Sequence, residues 1–299
     1  HPDAAPQQAF VARQDALQIA LAGIWQDVLG LERVGLEDNF FELGGDSIIS
    51  IQVVSRARQV GIGINPRDLF QYQTVRSLAL VASLDHHSAV HQGPITGAVL
   101  LGPIQQQFFS RPMNAREHWN QSLLLTAREP LNGQWLDAAL TCVINHHDAL
   151  RLRFVPGADG WQQSHGPLLQ RADLWLRDAQ SAEQLNALCD EAQRSLSLQE
   201  GPLLRAMLVN LADGSQRLAL VIHHLVVDGV SWRVLLEDLQ QAYEQLAAGG
   251  GVTLPAKTSA FQSWTARLNA EAPRFDDQLA YWKAQHQGAL DLPCDRPQG

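Results

Sequence analysis

The stretch LVIHHLVVDGVSWRVLLEDL, Leu220 to Leu239, decides how most of this 299-residue sequence is read. It opens as an apolar run and sets His223 and His224 side by side. Asp228 and Gly229 follow, then a helical pattern. The pattern predicts a strand from Arg217 to His223 and an amphipathic helix from Ser231 to Ala248, stopped by Gly249-Gly250-Gly251. Neighbouring side chains on extended backbone point to opposite sides, so one imidazole can face a cavity while the other packs inside. That separation argues against both holding one metal, and the helical HExxH spacing of a zinc pair is missing. From the residues alone the pair stays open between a catalytic base and two structural histidines.

Around this stretch, helix and strand signals alternate. Leu203–Leu211 and Arg217–His223 read as strands joined by the hairpin signal ADGS. Ser122–Thr126 reads as a strand. Leu150–Val155 and Gln162–Ser164 read as strands around PGADG. Helical spacing appears at Asn132–His146, Ala182–Leu196, Ser259–Asn269 and Arg274–Gln287, and the tail LDLPCDRPQG reads as extended. The result is an α+β sandwich. Ahead of it, residues 86–98 are polar, contain Gly and Pro, and show no period, which predicts a linker. His86, His87 and His91 are then exposed linker residues rather than metal ligands.

The residues before that linker are helical in pattern. Asp15–Leu29 carries Leu17, Ile19, Ala20, Ile24, Trp25, Val28 and Leu29 on about one face and ends at Gly30. Ser47–Val60 ends at Gly61, a short helix spans Pro66–Phe70, and Val75–Leu84 follows the cap candidate Thr74. Residues 13–85 therefore form a small four-helix bundle, with 1–12 as an N-terminal linker. The whole chain is a two-domain α+β protein.

Composition narrows the function classes. The net charge is −9 and no long Lys/Arg run exists, which disfavours nucleic acid as a partner. No apolar segment reaches the roughly 20 residues that span a bilayer, and HPDAAPQQAF lacks the pattern of a secretory signal. Cys142, Cys189 and Cys294 are odd in number and form no CxxC pair, which fits reduced thiols in a cytoplasmic protein.

The segment FFELGGDSIISIQVV places Gly44, Gly45 and Asp46 directly before a helix that starts at Ser47. Glycine leaves room for a partner surface, and a serine at a helix start can expose its hydroxyl beside the positive end of the dipole. That is a suitable place for a phosphodiester. Asp46 or Ser47 acting only as helix cap is the competing reading.

NFFELGGDSIISIQVVSRAR closely resembles the core motif of peptidyl carrier proteins of nonribosomal peptide synthetases, matching at Leu43, Gly44, Gly45, Asp46 and Ser47. The resemblance covers Asp15 to Leu84. It implies a 4'-phosphopantetheine arm, covalent on Ser47, with Asp46 beside it. Asp at that position resembles carriers that precede an epimerization domain.

HHLVVDGVSW resembles the HHxxxDG motif of the condensation superfamily, matching at His223, His224, Asp228 and Gly229. DGVSWR looks like the epimerization branch. GPIQQQFF, Gly102–Phe109, is similar to that branch's TPIQxWFF but departs at Gly102 and Gln107. NHHDALRLRF, Asn145–Phe154, resembles RHExLRTxF with Asn145 in place of Arg. The resemblance implies a lobe like half of chloramphenicol acetyltransferase over residues 99–299, with His224 catalytic, His223 structural, and Asp228 paired with Arg151 or, second, Arg153. It also implies a C-terminal lobe whose motifs are not among these residues, so that little epimerase activity is expected of them alone. Implied partners are a phosphopantetheinyl transferase, an adenylation domain, a downstream condensation domain and that second lobe. A peptide-forming condensation domain, or a non-catalytic carrier and docking module, are the alternatives.

Overall fold

The computed structural model describes residues 4–84 and 90–285 and divides the chain into two compact units, His1–Gln92 and Gly93–Gly299. His86, His87, Cys294 and the extended tail lie outside the described residues.

In the first unit, α1 spans Ala4–Leu29 and α2 spans Ser47–Gln59. The strand β1, Ile62–Gly63, follows, then α3, Pro66–Gln71, and α4, Val75–Val81. The strand β2, Ser83–Leu84, pairs antiparallel with β1. Helix α1 begins eleven residues before the predicted Asp15, so the expected linker at 1–12 is helical from Ala4 onward. Pro6 is compatible with that start, because first-turn amides have no partner within the helix. Thr74 and Asn65 close capping boxes on α4 and α3. Leu21, Trp25, Phe40, Val53, Ala57, Leu69 and Leu78 form the buried core.

The second unit opens with β3, Ala98–Val99, and α5, Pro103–Ser110. Next come β4, Asn120–Thr126, α6, Gly133–His146, β5, Leu152–Gly157, and β6, Gly160–His165. Then follow β7, Trp175–Ala179, α7, Ala182–Arg194, β8, Leu204–Leu211, β9, Gln216–His223, and α8, Gly229–Ala247. Helices α9, Phe261–Glu271, and α10, Leu279–Gln285, complete it. The main sheet has the order β4-β9-β8-β7, antiparallel except for the parallel pair β7–β8, and a smaller sheet has the order β3-β6-β5. The helix at α5 and the strands β3 and β7 are too short or too irregular in pattern to read from the sequence. Residues 93–98, expected as linker, are held: Lys257 Nζ donates to Gly93 O and Ile95 N donates to Asp148.

Alternation on β9 sorts the core. Leu218, Leu220 and Ile222 face Leu136, Leu140, Val143, Trp232 and Leu239 of α6 and α8. Ala219 and Val221 join Met207, Val209 and Ala192 on the α7 side. A central strand covered on both faces reads as a continuous apolar run, which is why the sequence marks β9 so clearly.

Candidate functional site

In the first unit the loop before α2 is pinned from below. Phe40 is fully buried against Trp25, with ring centroids 4.9 Å apart, and its carbonyl accepts the Gly45 N–H at 2.9 Å. A Cβ at Gly45 would sit 2.5 Å from the Phe40 ring, so only glycine fits there. Gly44 has φ +98, the left-handed region that glycine tolerates. The Asp46 Oδ1 accepts from Ile48 N at 2.8 Å and Ile49 N at 2.7 Å. Capping therefore belongs to Asp46, and the Ser47 hydroxyl is left exposed, without a hydrogen bond among the described residues. Nothing lies within 4 Å of the space beside Gly44. An accessible primary hydroxyl in open ground fits attachment of 4'-phosphopantetheine.

In the second unit the two histidines separate completely. His223 ends β9 opposite Asn120 and is 0% exposed. Its Nε2 lies 2.8 Å from the Arg116 carbonyl, and Leu225 N donates to its Nδ1 at 3.2 Å. A carbonyl can only accept and an amide N–H can only donate, so the ring is neutral with its proton on Nε2. Burial pushes its pKa below the ordinary imidazole value, partly offset by the Arg116 carbonyl. His223 ties the end of β9 to the segment before β4.

His224 lies beyond the strand, in the turn closed by Val226 N donating to His223 O at 3.0 Å. Its exposure therefore comes from the turn rather than from strand alternation. Its backbone N–H donates to Trp119 O at 2.8 Å. Its Nδ1 lies 2.8 Å from Val227 O, and its Nε2 lies 3.3 Å from the Gln121 side-chain nitrogen. The Val227 carbonyl requires the proton on Nδ1, which leaves the Nε2 lone pair on the open side. Gln121 and Trp119 were not signalled by the sequence, since residues about a hundred positions upstream carry no mark of their destination. Val227 lies within the quoted motif, but its role is played by its backbone carbonyl, which no side-chain pattern reports.

Asp228 is not paired with either arginine, and this corrects the sequence reading. Its Oδ1 caps α8, accepting from Val230 N at 3.1 Å, Ser231 N at 2.8 Å and Ser231 Oγ at 2.8 Å. It is exposed, whereas Arg151 is 1% exposed and needs a buried counter-charge. Asp148 supplies it at 2.5 Å, three residues earlier, and also binds Lys257 at 2.9 Å. Burial raises the Asp148 pKa, but the Ile95 amide, Lys257 and Arg151 together outweigh it and hold the carboxyl below its ordinary value. Arg151 Nη1 donates to Gly166 O at 2.6 Å. Arg153 donates to Leu152 O at 2.8 Å and lies against Gly201, whose φ is +76 and where a Cβ would overlap the guanidinium carbon.

His146, His147 and Asp238 are the one group of three metal-capable side chains among the described residues. The buried Asp238 carboxylate is already matched by His147 Nε2 at 2.7 Å, which explains the cluster as an imidazole–carboxylate contact.

The family model of the condensation domain matches residues 95–299, and that of the phosphopantetheine attachment site matches residues 20–81. The chain belongs to the condensation-domain family. Its condensation-domain lobe is preceded by a phosphopantetheine carrier domain. The chain is 41% identical to a chondramide synthase of Chondromyces crocatus over 302 residues, which is 97% of this chain and 8% of that protein. It is 42% identical to a surfactin synthase of Bacillus subtilis, over 93% of this chain and 8% of the relative. The chain thus spans less than a tenth of the length of these two relatives. The epimerization domain from the third module of tyrocidine synthetase B superposes with a TM-score of 0.62 at 32% identity, over 68% of this chain and 48% of that one. The starter condensation domain of rhizomide synthetase superposes with a TM-score of 0.53 at 21% identity, over 64% of this chain and 48% of that one, which speaks to the fold alone. Among the described residues, no helix is long and apolar enough to cross a membrane.

Proposed function

We propose that this chain serves nonribosomal peptide synthesis, carrying an aminoacyl or peptidyl thioester on Ser47 and presenting it for epimerization at Cα with His224 as the base. The observation that carries the reading is the 32% identity and TM-score of 0.62 to the epimerization domain of tyrocidine synthetase B. The segment Asp228–Arg233, DGVSWR, points the same way.

The phosphopantetheine arm supplies a thiol on a long tether, and a thioester makes the neighbouring Cα–H more acidic than an amide would. The chain's own residues supply the rest. Ser47 fixes the attachment point. The Val227 carbonyl holds the His224 proton on Nδ1, so that Nε2 can take the Cα proton. Return of a proton to the other face needs a second group, and a second lobe is proposed to supply it. The partners proposed for this chain are that lobe, a phosphopantetheinyl transferase, an adenylation domain and a downstream condensation domain.

A second reading, peptide-bond formation, is favoured by the match to the condensation-domain family over residues 95–299. There His224 Nε2 would assist attack of an amine instead. The two are separated by loading an L-aminoacyl group onto Ser47 of a chain that includes both lobes, in deuterated buffer. Epimerization predicts deuterium at Cα and a mixture of L and D product. Peptide formation with an offered acceptor amine, and no deuterium at Cα, would reverse the assignment.

A further inference from the structure

Gln121 sits on β4, in register with Ile222, and its side chain spans two elements. Trp232 Nε1, on the first turn of α8, donates to Gln121 Oε1 at 2.9 Å. Gln121's side-chain nitrogen lies 3.3 Å from His224 Nε2. The indole N–H is a donor only, so the atom facing it must be the amide oxygen. The amide NH2 is thereby turned toward His224, and the ring nitrogen it meets must accept. On the other side of the ring, the Val227 carbonyl accepts from Nδ1. Donor and acceptor roles are then fixed along the whole line from Trp232 through Gln121 and His224 to Val227, with no group left to choose.

We propose that Gln121, oriented by Trp232, is a positioning residue for His224. It holds the imidazole in the plane that presents the Nε2 lone pair, and selects the tautomer in which that lone pair exists. The bond to Nε2 is long compared with an ordinary contact of about 2.9 Å. A substrate C–H approaching Nε2 can displace it at little cost, while the shorter Val227 contact keeps the ring oriented. Trp232 is 8% exposed and packs against the α6–α8 core, so the orientation of the amide is anchored in the fold rather than in the loop. This role rests on His224 being the base, as proposed above.

The test uses the whole chain with 15N-labelled histidine and follows the His224 ring nitrogens by NMR, the resonances being identified by their loss in His224→Ala. The wild type shows a proton on Nδ1 and a hydrogen-bonded, unprotonated Nε2. Gln121→Met removes the donor, and Trp232→Phe frees the amide to turn. Both are expected to move the Nε2 resonance toward that of an unbonded imine nitrogen. Gln121 is only half-buried, so Gln121→Met keeps the test alive if Trp232→Phe folds poorly. In a chain with both lobes, each variant is expected to lower kcat/KM for Cα deuterium exchange about 5-fold, the effect of one net hydrogen bond that orients the ring before the substrate displaces it. An Nε2 resonance that stays in place in both variants overturns the proposal, whatever the rates. If the resonance moves but His224→Ala exchanges as fast as wild type, the base assignment fails instead and Gln121 has no catalytic role.

Discussion

Two helices in this chain begin with the same device. Asp46 caps α2 and Asp228 caps α8, each through one carboxylate oxygen that accepts the amides two and three residues on. The outcomes differ. At α2 the next residue, Ser47, is left with an exposed and unengaged hydroxyl. At α8 the cap fixes the helix start four residues after His224, and both nitrogens of that imidazole are engaged. The first site is local: one loop, one buried phenylalanine and one cap define it. The second is assembled from β4, the turn after β9 and α8. A hydroxyl that is to be modified needs access, whereas a base needs a fixed tautomer and direction, and that takes partners from several elements.

The sharpest break between the two sites is Ser47→Ala. With a phosphopantetheinyl transferase and a coenzyme A donor, the wild type is expected to gain the mass of the arm and Ser47→Ala none. Retention of the gain would move the attachment point elsewhere and remove the contrast.

The buried ion pair comes next. Arg151→Met removes one of the two cations on partly buried Asp148 and leaves Lys257 in place, so the cost is that of a lost charge-assisted hydrogen bond, about 1.5–3 kcal/mol. Only the second unit should lose stability by that amount in denaturant unfolding. A double-mutant cycle of Arg151 with Asp148 should show coupling, while Arg151 with Asp228 should be additive within about 0.5 kcal/mol. Coupling to Asp228 would restore the pairing that the sequence suggested.

The pH dependence is smaller. Burial lowers the pKa of His223, His165 and His146, all in the second unit. They are neutral in the fold and take up protons more readily when unfolded. Their contribution is therefore complete above the ordinary imidazole value of about 6.5 and is lost as pH falls below it. The unfolding midpoint of the second unit should fall from pH 7 to pH 5, and His223→Asn should flatten part of that slope.

The smallest effects are the caps themselves. Asp46→Ala and Asp228→Ala should each cost about 1 kcal/mol. Asp46→Ala should leave arm attachment at Ser47 in place. Asp228→Ala should also slow exchange at Cα, because its helix start carries Trp232.

The contrast also explains what was legible in the sequence. The glycines, Asp46 and Ser47 stand consecutively, so local backbone rules place them without knowledge of the tertiary fold. β9 and α8 were readable from period, and the adjacent histidines marked themselves. The partners of His224 were not readable. Gln121 lies 103 positions upstream on a strand whose pattern gives only alternation. The misplaced Asp228 pair has the same origin. One carboxylate and two arginines stand out along the chain, but the choice of partner depends on burial, and Asp148 is partly buried beside Arg151 where Asp228 is exposed.

The central claim is that the two adjacent imidazoles have separate tasks, one chemical and one structural. The most direct measurement is solvent-deuterium exchange at Cα of the thioester loaded on Ser47, in a chain with both lobes, comparing His224→Ala with wild type. Loss of a general base predicts a fall of about 10²–10⁴-fold with an unchanged unfolding midpoint. Exchange at the wild-type rate in His224→Ala would contradict the account.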